Sequence, residues 1–185
     1  MLKALPIACL LALAACGSPL ERLPLTPQTS ALELRPLVGS AMLRTVSLPT
    51  YAAAEEVAVE LPGGLIATNE DVLWADAPER AVTLVLTRTL VDILNMDVGP
   101  EPWPFVGLPD VTLDVRVAEM LAGADNTFRL SGQFYVGGDG IGYPNTVDSF
   151  DIAVPMADQS LGSISAAQST ALIQLAEQMA RRLGR

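Results

Sequence analysis

The 185-residue chain has no histidine, one lysine, two cysteines and an aromatic content of only 5%. The lysine is Lys3 and the cysteines are Cys9 and Cys16, so beyond residue 15 there is neither histidine nor lysine and one thiol. Ser-His-Asp, Cys-His, Ser-Lys and Schiff-base schemes each lack a component in that remainder. Zinc sites built on His or Cys are excluded with them, and no intramolecular disulfide can form. No metal and no cofactor is expected. Positive charge is also scarce, since beyond residue 15 ten arginines face 21 acidic residues, a net charge of −11. Nucleic acid, which is held by cations that neutralise phosphates, is not an expected partner. A carboxylate pair across a cleft is the arrangement that composition leaves open to an enzyme. The sequence singles out no such pair, and scattered Asp and Glu read as solvated surface.

What is present starts with a short positive head, Lys3, and an apolar run of 12 residues from Ala4 to Ala15. A helix needs about 20 apolar residues to span a bilayer. A charged head, a short apolar centre and small residues before a cut site describe a secretory signal instead. The stretch Leu13-Ala14-Ala15-Cys16 resembles the lipobox of bacterial lipoproteins, in which the thiol is diacylated and the chain is cleaved just before it. Residues 1–15 are therefore read as a lipoprotein signal peptide and Cys16 as the lipidation site. An ordinary signal peptide with a chance cysteine at its boundary is the alternative. Residues 16–31 carry three prolines and read as a lipidated N-terminus and flexible tether. Residues 32–185 read as one domain, although two small domains also fit the length.

Within that domain a strand is expected over Met42 to Leu48, and two more over Val57 to Leu61 and Leu65 to Thr68, joined by a Pro62-Gly63-Gly64 turn. A helix follows, with Asp76 and Glu79 as a capping box and Pro78 in the first turn. Val82, Leu86, Leu90 and Ile93 form its buried stripe, Thr83, Thr87 and Arg88 face water, and Leu84 and Val91 make it apolar on a second side, read as burial with a subunit contact as the alternative. The proline-rich "GPEPWPFVGLP" is neither helix nor central strand. Its Trp103 and Phe105 are read either as a plug for one end of the core or as an exposed partner contact. Three alternating strands come next, with Val111, Leu113, Val115 and Val117, then Phe128, Leu130, Phe134 and Val136, then Phe150, Ile152, Val154 and Met156 facing inward. The glycine-rich link "GGDGIGYPNT" lacks both G-x-G-x-x-G spacing and enough acids for calcium, and reads as a connection. A closing helix is expected with Ser165 and Gln168 as capping box, Leu172, Leu175, Met179 and Leu183 on one face, and Gly184 as its stop. Its terminal arginines fit the helix dipole, with a patch for anionic lipid heads as the functional alternative. The predicted class is α+β: a single domain with a mainly antiparallel sheet, a three-strand meander and two helices on one face.

The order of "VSLPTY" (46–51), "LWADAPERAVTLVLTRTLVDIL" (73–94), "PWPF" (102–105), a meander and an alanine-rich closing helix resembles the PqiC-like family, the auxiliary lipoproteins of ABC-type transport systems. The resemblance spans about residues 32 to 183. Leu73 stands where many members carry arginine, and Ala52-Ala53-Ala54-Glu55 replaces a charged "L-D-R-P". The resemblance implies an accessory subunit without chemistry of its own. It would work with an MCE-domain protein and an ABC permease/ATPase on lipids or other hydrophobic compounds, and so support envelope integrity. Gly17 after the cysteine, by resemblance to the enteric sorting rule, implies the outer membrane facing the periplasm, with the inner membrane as alternative. Homo-oligomers are compatible with this picture. Two other classes compete: a small solute- or lipid-binding lipoprotein, and a carboxylate-dependent envelope hydrolase.

Overall fold

The computed structural model describes residues 21–25, 28–138 and 142–185. In chain order these contain β1 (Glu21–Leu23), β2 (Ser40–Leu43), α1 (Thr50–Ala53), β3 (Glu56–Glu60), β4 (Ile66–Trp74), α2 (Pro78–Leu94), β5 (Asp97–Pro100), β6 (Val111–Ala122), β7 (Thr127–Gly138), β8 (Thr146–Pro155) and α3 (Leu161–Leu183).

Strict alternation produces the meander β6-β7-β8. Because side chains on a strand alternate faces, the inward sets of the three strands share one face, and every member of them is buried. Antiparallel pairing sets Val115 opposite Phe134, and Leu130 opposite both Met120 and Ile152. The β6–β7 register shifts between Val117 and Glu119, a bulge that keeps Met120 on the buried side. Gly132 lies beside it. A Cβ there would come 2.2 Å from the Arg116 carbonyl oxygen and 2.8 Å from Phe150 Cζ, so the closeness of the strands requires glycine.

The expected α+β single domain is present, but the sheet is mixed. One edge of β6 carries β7, and the other is shared: β2, with β5 beyond it, pairs in parallel near the start of β6, and β3 pairs in parallel at its end through Val59 and Ala122. Parallel neighbours need long crossovers, and α2 lies in the one between β2 and β5. β4 is antiparallel to β3, and β1 is parallel to β4. The folded part thus reaches back to Glu21 rather than starting near Leu32. Its hold on the body includes the Ser165 hydroxyl, which donates to the Pro24 carbonyl at 3.0 Å.

The helices α2 and α3 pack on each other over one face of the sheet, with both predicted leucine-rich stripes buried. Local details differ from expectation. α2 has Ala77 at its N-cap and no side-chain cap, because Asp76 is taken by Arg80 and by the Ala77 N–H. α3 starts earlier than predicted: Ser160 caps it by accepting from the Ser163 N–H, and Ser165 and Gln168 lie buried inside the helix. Thr83 and Thr87 are buried rather than solvated. The segment after β2 crosses α2 there, and Thr83 Oγ1 accepts from the Val46 N–H at 2.9 Å while donating to the Glu79 carbonyl. Leu84 and Val91 are exposed rather than buried. Gly184 does end α3, but in extended backbone. A Cβ there would come within 2.8 Å of Leu94 Cδ2, so close packing and not a left-handed cap requires the glycine.

Candidate functional site: an apolar loop and a groove

The loop from Glu101 to Asp110 leaves the edge strand β5 and returns to the start of β6. Pro104 folds over Gly99, where a Cβ would lie 2.6 Å from its Cδ. This turns Trp103 and Phe105 toward each other, edge to face, with ring centroids 4.9 Å apart. The return end is pinned by Asp110, whose Oδ2 accepts from the N–H groups of Gly39 (2.7 Å) and Ser40 (3.1 Å), while Ser40 Oγ accepts from the Asp110 N–H at 3.0 Å.

Trp103 is half-buried and its indole N–H has no partner among the described residues. Phe105 is 45% exposed, Val106 is fully exposed and Leu108 is 82% exposed. The loop therefore offers Phe105, Val106 and Leu108 to solvent, with Trp103 half-buried beside Phe105. Leu37, half exposed, borders the same surface across a shallow hollow of about 380 Å³ that Leu108 and Tyr143 also line. The sequence pointed to the two aromatics of this patch but not to its aliphatics, because an apolar residue in a proline-rich loop carries no periodic signal of its orientation.

A second concavity, of about 250 Å³, lies between the N-terminal segment and α2, lined by Leu23, Leu25, Trp74, Pro78, Leu84 and Gln168. Gln168 is buried, its Nε2 lies 3.8 Å from Met120 Sδ, and its Oε1 has no partner among the described residues. In the stretch from Ala52 to Glu55, which replaces the charged family pattern, Ala52 lies in the core within the single helical turn α1.

Several charged groups form ion pairs. Arg129 donates to Glu60 (2.6 Å), Glu119 (2.8 Å) and Asp125 (3.4 Å). On the outer face of the sheet, Arg116 pairs with Asp114 at 3.1 Å and stacks on Tyr135 at 5.1 Å. The carboxyls with displaced titration are Glu60, held down by hydrogen bonding to Arg129, Asp114, held down by Arg116, and Asp158, held down by Ser160. That direction is opposite to what a general acid at neutral pH requires. Among the described residues, no group of three or more Cys, Asp or Glu is placed to hold a metal, and no helix is long and apolar enough to cross a membrane. Cys16 lies outside the described residues.

No curated protein matches the chain by sequence. Two crystal structures share its fold. One, of an uncharacterised protein, superposes with a TM-score of 0.71 at 17% identity, over 89% of this chain and all of the other. The second, a Xanthomonas campestris protein of the DUF330 family, gives 0.68 at 12% identity, over 85% of this chain and 91% of the other. The family described as "ABC-type transport auxiliary lipoprotein component" matches residues 23–180, from the first strand almost to the end of the last helix, and the chain belongs to it.

Proposed function

We propose that the protein is a lipid-anchored accessory subunit on the periplasmic side of the outer membrane. It serves an ABC transport system for lipids or other hydrophobic compounds by docking to an MCE-domain partner, and so contributes to envelope integrity. Cys16 carries the anchor. The observation that carries the docking reading is the cluster of exposed apolar side chains at Phe105, Val106 and Leu108 on a loop pinned at its base. Contiguous exposed apolar surface marks interaction sites, and rigid loops are where folds place them. The absence of histidine, and of lysine beyond residue 15, favours docking over hydrolysis.

The test is a pull-down from detergent-solubilised membranes with the lipidated protein as bait, compared with Phe105→Ala. Recovery of an MCE-domain protein or ABC component with the wild type, reduced with the variant, is expected. Recovery of neither, or hydrolysis of envelope substrates by the purified protein alone, defeats the reading.

The groove beside Gln168 favours a second reading, a lipoprotein that itself holds a small apolar ligand with a hydrogen-bond donor for Oε1. Native mass spectrometry of the protein purified without detergent distinguishes it by a co-purified mass.

A further inference from the structure

Leu61, Leu65 and Ile66 surround the β3–β4 turn and are 42%, 70% and 43% exposed. Between them Pro62, Gly63 and Gly64 form a tight reversal: Leu61 N–H donates to the Leu65 carbonyl at 2.7 Å, and both glycines have left-handed φ, +99° and +84°. Three large aliphatics on a charge-free hairpin tip thus present apolar surface to solvent.

The direction of β1 gives that tip a surface to face. β1 is parallel to β4, with Glu21 opposite Val72 and Leu23 opposite Trp74. β4 starts at the tip and runs away from it, so β1 also runs away from it, and the chain enters β1 from the tip side. Cys16 is five residues before Glu21, a reach of at most about 18 Å. β4 bulges between Asn69 and Leu73, so the stretch from Leu73 back to Ile66 lies opposite only Glu56 to Glu60 of β3, about 13 Å. The anchor's reach therefore extends to the tip. At the other end, the Phe105 loop enters β6 at Val111, while β3 meets β6 only at Ala122, about 35 Å along that strand.

We infer that the β3–β4 hairpin tip is a second membrane contact, with Leu61, Leu65 and Ile66 seated in the lipid interface next to the acylated N-terminus. The inference rests on the reading of Cys16 as the anchor. Two contacts fix an orientation that one flexible anchor leaves free, and they point the Phe105 loop away from the bilayer, toward a partner. The contact is apolar, not electrostatic. The mature chain has no lysine, and Arg129, the cation at the base of the hairpin, is engaged by three carboxylates.

The test uses the full lipidated protein, in which an acylated Cys16 leaves no free thiol, carrying Leu65→Cys or, as control, Val106→Cys. Both are labelled with an environment-sensitive fluorophore and reconstituted in phosphatidylethanolamine–phosphatidylglycerol vesicles containing doxyl-labelled lipid. Both residues are exposed, so neither change disturbs the fold. The expected result is that both proteins float with the vesicles, that emission from position 65 blue-shifts and is quenched, and that emission from position 106 does neither. Flotation without quenching at 65 overturns the inference while leaving the anchor intact. A wild-type protein that takes up the label and fails to float removes the anchor reading and the inference with it. A blue shift at 65 without vesicles that grows with protein concentration assigns the tip to a second copy and also overturns the proposal.

Discussion

Arg129 and Glu60 meet at 2.6 Å although 69 residues separate them, and the contact ties the foot of the β3–β4 hairpin to the meander. The Arg129 hydrogen bond holds the Glu60 carboxyl below its ordinary range. A carboxyl whose pKa is lowered on folding adds stability above its unfolded value, near 4.3, and that stability is lost as pH falls through the folded value. Glu60→Gln should therefore be less stable than wild type in urea at pH 7. The difference should shrink as pH falls below about 4.3 and vanish only once pH is below the lowered folded-state value, where the wild-type carboxyl is protonated too. A gap between the two midpoints that persists at low pH would contradict this account.

Thr83 spends its hydroxyl on the Val46 N–H, in a fully buried setting. Thr83→Val keeps the volume and leaves that N–H unpaired, at a cost of about 1–3 kcal/mol. Thr83→Ser should retain most of the stability. Chemical denaturation of the three proteins measures both effects.

Two glycines should respond with opposite signs. Gly132→Ala drives a Cβ into backbone at 2.2 Å and should cost about 2–3 kcal/mol. Gly162, in the first turn of α3, has no atom within 4 Å of an added Cβ, and its replacement by alanine should add about 0.5 kcal/mol. Thermal unfolding reads both.

Phe105→Ala should leave stability within about 0.5 kcal/mol of wild type, since the ring is half in solvent. If the loop docks a partner, the same change should weaken association by about 2 kcal/mol, close to 30-fold. Paired denaturation and binding measurements separate an interface residue from a structural one.

Cys16→Ala should abolish incorporation of a labelled fatty acid and leave the protein unprocessed or released from the membrane. Labelling that survives the substitution would place the anchor elsewhere. For the wild type, density-gradient fractionation should show co-migration with outer-membrane markers.

Local periodicity was sufficient for β6, β7, β8 and the stripes of both helices, because alternation and 3.6-residue spacing are set by the chain's own geometry wherever one face is buried. The family was legible for a related reason: its short motifs sit at element boundaries, such as the entry to α2 around Trp74. The N-cap of α3 was misplaced because several serines stand near its start, and local chemistry alone does not rank them. Other features depend on which surfaces meet. The parallel placement of β2 and β3 on β6, the return of Glu21–Leu23 to β4, and the burial of Thr83 beneath Val46 each join residues more than 35 positions apart. For the same reason the exposure of Leu65, Val106 and Leu108 was not visible in the sequence. A leucine reads identically whether or not another surface covers it, and in this protein covering depends on where the long-range contacts of the sheet leave each loop.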